Sequence, residues 1–344
     1  MKAIVKERPE EGGLTFRDLP VPEPGAGEVL LKNRAVAICG TDLHIYNWDA
    51  WSQKRVRLPI ILGHEFAADV VKVGSGVRHV RIGDYVSGEG HLVCGFCDNC
   101  RTGNGHVCYD WKGLGYDVDG VFREYFVMPE ANIWVNDPDT PEILAAIQDP
   151  LGNAVHTVFK VDCVGKRVAV YGLGPVGLLA VGILKGIGAA EIFAFGRSNA
   201  YRLDLARKMG AHHVQGSRAL NPVEYIKQHT RGNGVDVAME IAGTSEAILS
   251  AIQSVKMGGD VILLGIPNRD VSIDIAADIV FRSVSIHGIT GRRIWDSWFR
   301  MKGLLNSGNL NIEHVITHQF LFNEFEQGFR LMQKGNCGKV VLTL

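Results

Sequence analysis

Two stretches of the chain concentrate side chains that bind metals or move protons. Residues 38–44 place a thiol, a hydroxyl and an imidazole close together at Cys39, Thr41 and His44, and Gly63-His64-Glu65 follows. Cys and His are ligands that Zn²⁺ prefers, and a catalytic zinc site keeps one position open for water or substrate. Cys39 and His64 are therefore expected to hold such a zinc with an acidic residue nearby. Thr41 and His44 are expected to carry a proton between the bound alcohol and water. An isolated Cys39 would read as a small buried hydrophobe, as Cys163 and Cys337 do. The second stretch, Cys94-x2-Cys97-x2-Cys100-x7-Cys108, gathers four of the seven cysteines. Four thiolates at this spacing can close a tetrahedral zinc site by themselves and leave no open position, so this zinc is expected to be structural. The bacterial iron–sulfur spacing is not met.

A third motif is Gly172-x-Gly174-x-x-Gly177. It follows a short apolar run, 167–171, and precedes an apolar helical stretch, which is the context of a dinucleotide-binding turn. The first glycine permits the tight turn, the second lets the backbone approach a pyrophosphate, and the third lets helix pack on strand. The end of the next strand decides the ribose, where an acid would bind the 2′-hydroxyl of NAD. This chain has Gly196-Arg197-Ser198-Asn199 instead. Arg197 and Ser198 can hold a 2′-phosphate, so NADP is favoured over NAD unless Arg197 points into solvent. Asp149-Pro150 offers a further carboxylate, readable as a zinc ligand, a relay partner or a helix N-cap. His91 reads either as a group that meets the substrate or as a second-layer or surface histidine.

These residues need two kinds of scaffold. Residues 1–150 alternate short strand-like runs with Gly/Pro turns and read as β-rich. From 151 to 290 strands alternate with helices, which predicts a doubly wound α/β domain. After 291 the texture is mixed again, and 338–344 reads as a final strand completing the first domain. The chain has 344 residues, is 46% apolar, and carries a net charge of −1. That is ordinary globular composition, without the basic excess of a nucleic-acid binder. No run approaches the ~20 apolar residues of a membrane span, and residues 1–6 read as a strand rather than a secretory signal. A cytoplasmic location follows as the expectation.

The motifs resemble the zinc-dependent medium-chain dehydrogenases, and most closely their threonine-oxidising branch. The likeness covers nearly the whole chain. It rests on Gly63-His64-Glu65 with Gly74 and Val77, on residues 39–49, on Gly88-Glu89-Gly90-His91, on residues 149–157 and on residues 288–292. Ala68 stands where the zinc signature usually has glycine. The resemblance implies a GroES-like catalytic domain, a Rossmann domain, and oxidation of the C3 alcohol of L-threonine with hydride passing to a nicotinamide in a cleft between the domains. It implies Cys39, His64 and Glu65 at the catalytic zinc, and Thr41 and His44 as relay with Asp149 assisting. It places the dinucleotide at Val176, Arg197, Arg202, Leu264, Gly265, Ile266, Ile289 and Thr290, and it implies a homotetramer acting on a small molecule. Members of the branch ordinarily carry an acid at the position of Arg197 and use NAD. A polyol or 2,3-butanediol dehydrogenase is the rival within the family. A zinc-independent reductase would lack the Cys39/His64 pair and the four cysteines, and a nucleotide-sensing module would not need Thr41 and His44.

Overall fold

The computed structural model describes residues 1–217 and 220–344. The chain forms two compact units, Met1–Asp149 with Ile316–Leu344, and Pro150–Val315. In the first unit the long strand Glu28–Ile38 is the spine of a seven-stranded sheet. It pairs antiparallel with Phe66–Val73, Tyr125–Pro129 and Lys339–Thr343. Apart from Lys32 and Arg34, its residues from Val29 onward are buried, and Leu31, Val36 and Ile38 pack with Phe66, Phe126, Val340 and Leu342.

The spine stops at Ile38 because the chain turns into a helix, α1 (Gly40–Asn47), with Cys39 as its N-cap. Ile45 and Tyr46 anchor α1 to the core, and Tyr46 stacks on Phe329 at 4.7 Å between ring centroids. Burying a side chain of that size contributes roughly 1.5–3 kcal/mol, so these two residues fix which way α1 faces. Thr41 and His44, three positions apart, lie on one side of it. Trp48 ends α1 with φ 52°, and Asp49 then caps α2 (Ala50–Arg55) by accepting from the Ser52 N–H at 3.0 Å.

The second unit holds a six-stranded parallel sheet. Across the sheet the strands run His213–Gly216, Glu191–Gly196, Arg167–Tyr171, Val235–Glu240, Val255–Leu263 and Ser285–Gly288. In chain order this is 3-2-1-4-5-6, the doubly wound arrangement in which ligands bind outside the carboxyl ends of the strands. Val168 to Tyr171 are all buried, as a central strand covered on both faces requires. The chain returns to the first unit at Ile316, later than the texture change at 291 suggested. Residues 309–312 explain this: a Cβ on Gly182 would meet Ile312 and Asn311, and one on Gly186 would meet Asn309. Residues 309–312 thus pack against helix Pro175–Gly186, and Trp298 and Met301 earlier in the stretch are fully buried. No described helix is long and apolar enough to cross a membrane.

Candidate active site and metal centres

Cys39, His64 and Glu65 converge, each offering a ligand atom within 4.8 Å of the others. They come from the end of the spine and from the segment just before strand Phe66–Val73, which lies beside it. Asp42, fully buried, ties the two together. One carboxylate oxygen accepts from the Cys39 N–H at 2.8 Å and the other from the Gly63 N–H at 3.1 Å. Gly63 has φ +90°, and a Cβ there would come 2.1 Å from the Phe122 ring, so only glycine can bring His64 in at this angle. Glu65 is paired with Lys339, whose Nζ lies 2.6 and 2.5 Å from its two oxygens and also donates to Ile38 O at 2.9 Å.

The electrostatics suit a cation. Burial works against a charge on His64, but the negative groups at Cys39, Asp42 and Asp149 outweigh it and raise the imidazole to about 10. The Nδ1 atom of His64 is buried without a hydrogen-bond partner among the described residues. A divalent ion would answer that excess of negative charge, with the imidazole then serving as a neutral donor. One thiolate, one imidazole and a carboxylate are a zinc-type donor set. Asp149 is 4% exposed, sits in the first turn of helix Gln148–Val158, and would lie 3.4 Å from a Cβ placed on Gly90.

Thr41 is half-buried, with its Oγ1 3.8 Å from Cys39 Sγ. His44 lies further out, its side chain 59% exposed, and its Nδ1 meets Asp49 Oδ2 at 2.5 Å. A proton path from Thr41 to His44 would therefore run from the metal donors toward solvent. His91 is half-buried. Its backbone N–H donates to Glu89 Oε1 at 3.0 Å, and its ring packs on Trp111 at 4.7 Å. Asp42, Asp49 and Lys339 were missed as site residues by sequence reasoning. Asp49 carried a signal, an acid three residues before Ser52 at the start of a helix. Asp42 carried only the signal of an acid in the first turn of α1, since its contact with Gly63 is distant in the sequence, and Lys339 carried none.

The four cysteines of the second cluster also lie together. Their sulfurs are separated by 3.5 Å (Cys97 to Cys100 and Cys94 to Cys108), 3.8 Å (Cys97 to Cys108) and 4.0 Å (Cys94 to Cys100). A tetrahedron with zinc–sulfur bonds of ~2.3 Å has edges of about 3.8 Å, so the group fits one zinc. It does not fit disulfides, which need ~2.05 Å. Backbone N–H groups of Phe96 and Cys97 point at Cys94 Sγ, and those of Cys94 and Asp110 at Cys108 Sγ. Such donors stabilise thiolates.

The dinucleotide candidates all follow the carboxyl ends of parallel strands. Gly172, Gly174, Val176 and Gly177 follow Tyr171, and Arg197 and Ser198 follow Gly196, with Arg202 one turn into the next helix. Leu264, Gly265 and Ile266 follow Leu263, while Ile289 and Thr290 follow Gly288. Gly172 has φ +105°, and a Cβ on Gly177 would come 1.9 Å from Gly172 O, so the turn and the close strand–helix packing both require glycine. Arg197 and Ser198 are exposed.

Comparison with known proteins agrees with this arrangement. Residues 25–138 match the alcohol dehydrogenase GroES-like domain and residues 175–307 the zinc-binding dehydrogenase domain. The chain is 48% identical over 342 residues to an L-threonine 3-dehydrogenase of Bacillus licheniformis, covering 99% of this chain and 98% of that one. Among solved structures, alcohol dehydrogenase TADH from Thermus sp. ATN1 superposes with a TM-score of 0.92 at 27% identity, covering 100% of this chain and 99% of that one. The 2R,3R-butanediol dehydrogenase from Bacillus subtilis does so with a TM-score of 0.89 at 27% identity and the same coverage. The chain belongs to the zinc-dependent medium-chain alcohol dehydrogenase family.

Proposed function

We propose that this chain oxidises the C3 secondary alcohol of L-threonine to 2-amino-3-oxobutanoate, passing hydride to NAD(P) with NADP preferred. The observation that carries the reading is the convergence of Cys39, His64 and Glu65 beside Thr41 and His44. The full-length likeness to L-threonine 3-dehydrogenases supports the choice of substrate. Cys39, His64 and Glu65 would hold the zinc, which would supply Lewis-acid polarisation of the substrate hydroxyl. Thr41 takes the hydroxyl proton first. His44, oriented by Asp49 through Nδ1, keeps Nε2 free to pass it to water. Asp149 would assist the relay with a further carboxylate near these donors, and His91 would meet the amino-acid end of the substrate.

The N-terminus of helix Pro175–Gly186, entered through Gly174, holds the pyrophosphate. Arg197 and Ser198 hold the 2′-phosphate. Arg202, Val176, Leu264, Gly265, Ile266, Ile289 and Thr290 line the rest of the cofactor. The family resemblance also supports a cytoplasmic homotetramer.

The test is a substrate panel at saturating NADP: L-threonine, 2,3-butanediol and a polyol, compared as kcat/KM. L-Threonine is expected to rank first. A higher value for 2,3-butanediol would replace the reading with the rival that the Bacillus subtilis enzyme favours. The two donor sets also set the metal content. A fully loaded preparation is expected to hold two zinc ions per chain. One is lost to chelation together with activity, and the other is lost only with a fall in Tm, because the four-cysteine lobe folds around its metal. Elemental analysis that finds a single zinc in a fully active preparation would contradict this.

A further inference from the structure

Arg55 ends α2 and has no part in the scheme above. Its Nε and Nη2 donate to the two oxygens of Asp117 at 2.7 and 2.6 Å, and Asp117 is held in turn by the Gly113 N–H at 2.9 Å. The guanidinium carbon stands 5.2 Å from the centre of the Trp111 ring and 6.0 Å from that of Tyr116. Both rings lead to the site. Trp111 packs on His91, and Tyr116 lies edge-on to His64 at 6.2 Å.

The guanidinium is thus fixed by a two-point ion pair and by two aromatic neighbours. Its third nitrogen, Nη1, donates to no described residue, and 41% of the side chain is exposed. A pre-oriented guanidinium with one free edge suits a planar anion, which an ammonium on a flexible stem would hold less well. Tyr116 stands between the two groups, its ring centre 6.0 Å from the guanidinium carbon and 6.2 Å from that of His64.

We propose that Arg55 is a specificity-determining residue whose free edge takes the carboxylate of the amino-acid substrate. The inference rests on the threonine reading given under the proposed function. It gives α2 two duties: Asp49 at its start orients His44, and Arg55 at its end fixes the far end of the substrate.

The experiment compares L-threonine with L-threoninamide, which keeps the hydroxyl and the amine but lacks the carboxylate. Steady-state kinetics are run on the full-length zinc-loaded enzyme and on Arg55→Met, Arg55→Lys and the double variant Arg55→Met/Asp117→Asn, with Tm recorded for each. Arg55→Met is expected to lose about 10- to 100-fold in kcat/KM for L-threonine, mostly through KM, and to lose at least about tenfold less for the amide. Arg55→Lys should recover part of the difference. The double variant should keep the loss, because the missing contact and not the bared Asp117 charge causes it. Equal losses on the two substrates, or recovery in the double variant, would show a structural tie only and overturn the proposal. A parent enzyme active on L-threonine with an unaffected Arg55→Met variant would overturn this inference alone. A parent inactive on L-threonine would overturn both readings.

Discussion

Cys39→Ser is expected to lower kcat by about a thousandfold or more while dinucleotide affinity stays at the parent value. A serine hydroxyl is not a thiolate and cannot replace one as a zinc ligand at neutral pH. Removing the metal's polarising effect costs several kcal/mol of transition-state stabilisation, and each ~1.36 kcal/mol is tenfold in rate. The fold should survive, because the anchoring of α1 falls to Ile45 and Tyr46. The glycine turn belongs to the other compact unit. Fluorescence titration with the dinucleotide, alongside turnover measurements, checks the pair of outcomes. Dinucleotide affinity that collapsed with activity would mean the two functions are not divided between the units.

Arg197→Asp is expected to reverse the cofactor preference. The parent should show a higher kcat/KM with NADP, because an exposed guanidinium and the Ser198 hydroxyl stand at the strand end where the 2′-position of the ribose is read. No acid lies between Gly196 and Ala200, so a phosphate meets no local repulsion. Glu246 feels the charge of Arg197 but is already paired with Arg269 at 2.8 Å. Charge-assisted hydrogen bonds of this kind contribute about 1.5–3 kcal/mol, on the order of ten- to a hundredfold. The variant loses that attraction, repels the phosphate and gains an acceptor for the 2′-hydroxyl of NAD, so the preference should swing through both effects. Kinetics with both cofactors on parent and variant decide it. A parent that prefers NAD would show that Arg197 serves solvent and not the cofactor.

What could be read from the sequence was local. The glycine turn, the four cysteines and the apolar run 167–171 each carry their meaning within a few residues, and the structure forms the corresponding turn, sulfur cluster and central strand. Elements with little burial escaped. Ser285–Gly288 is a sheet edge without a fully buried residue, and His213–Gly216 has only Val214 buried, so neither shows alternation. Helix Pro222–His229 was not assigned from the sequence either, although Asn221 as N-cap and Pro222 at the first position are a start signal that apolar periodicity alone overlooks. Within the site, the donors were legible because Cys and His are rare and chemically distinctive. Their supports were not. Asp42 reaches Gly63 and Lys339 reaches Glu65, and contacts across such separations leave no pattern in a single sequence.

The bracket that Asp42 makes between Cys39 and Gly63 bears on how the enzyme acquires its metal. It consists of two backbone N–H groups donating to one side-chain carboxylate and uses none of the candidate metal-donor atoms. The frame that presents Cys39 and His64 is thus tied by groups other than the candidate donors, whereas in the four-cysteine lobe the sulfurs would themselves be the cross-links of any bound ion. Such a frame fixes where an ion sits but discriminates weakly between ions of similar size, and affinities for such donors rise along the divalent series to copper. Which metal occupies the centre in a living cell then becomes a question of supply, settled by the buffered concentrations around the protein and open to substitution whenever those concentrations change.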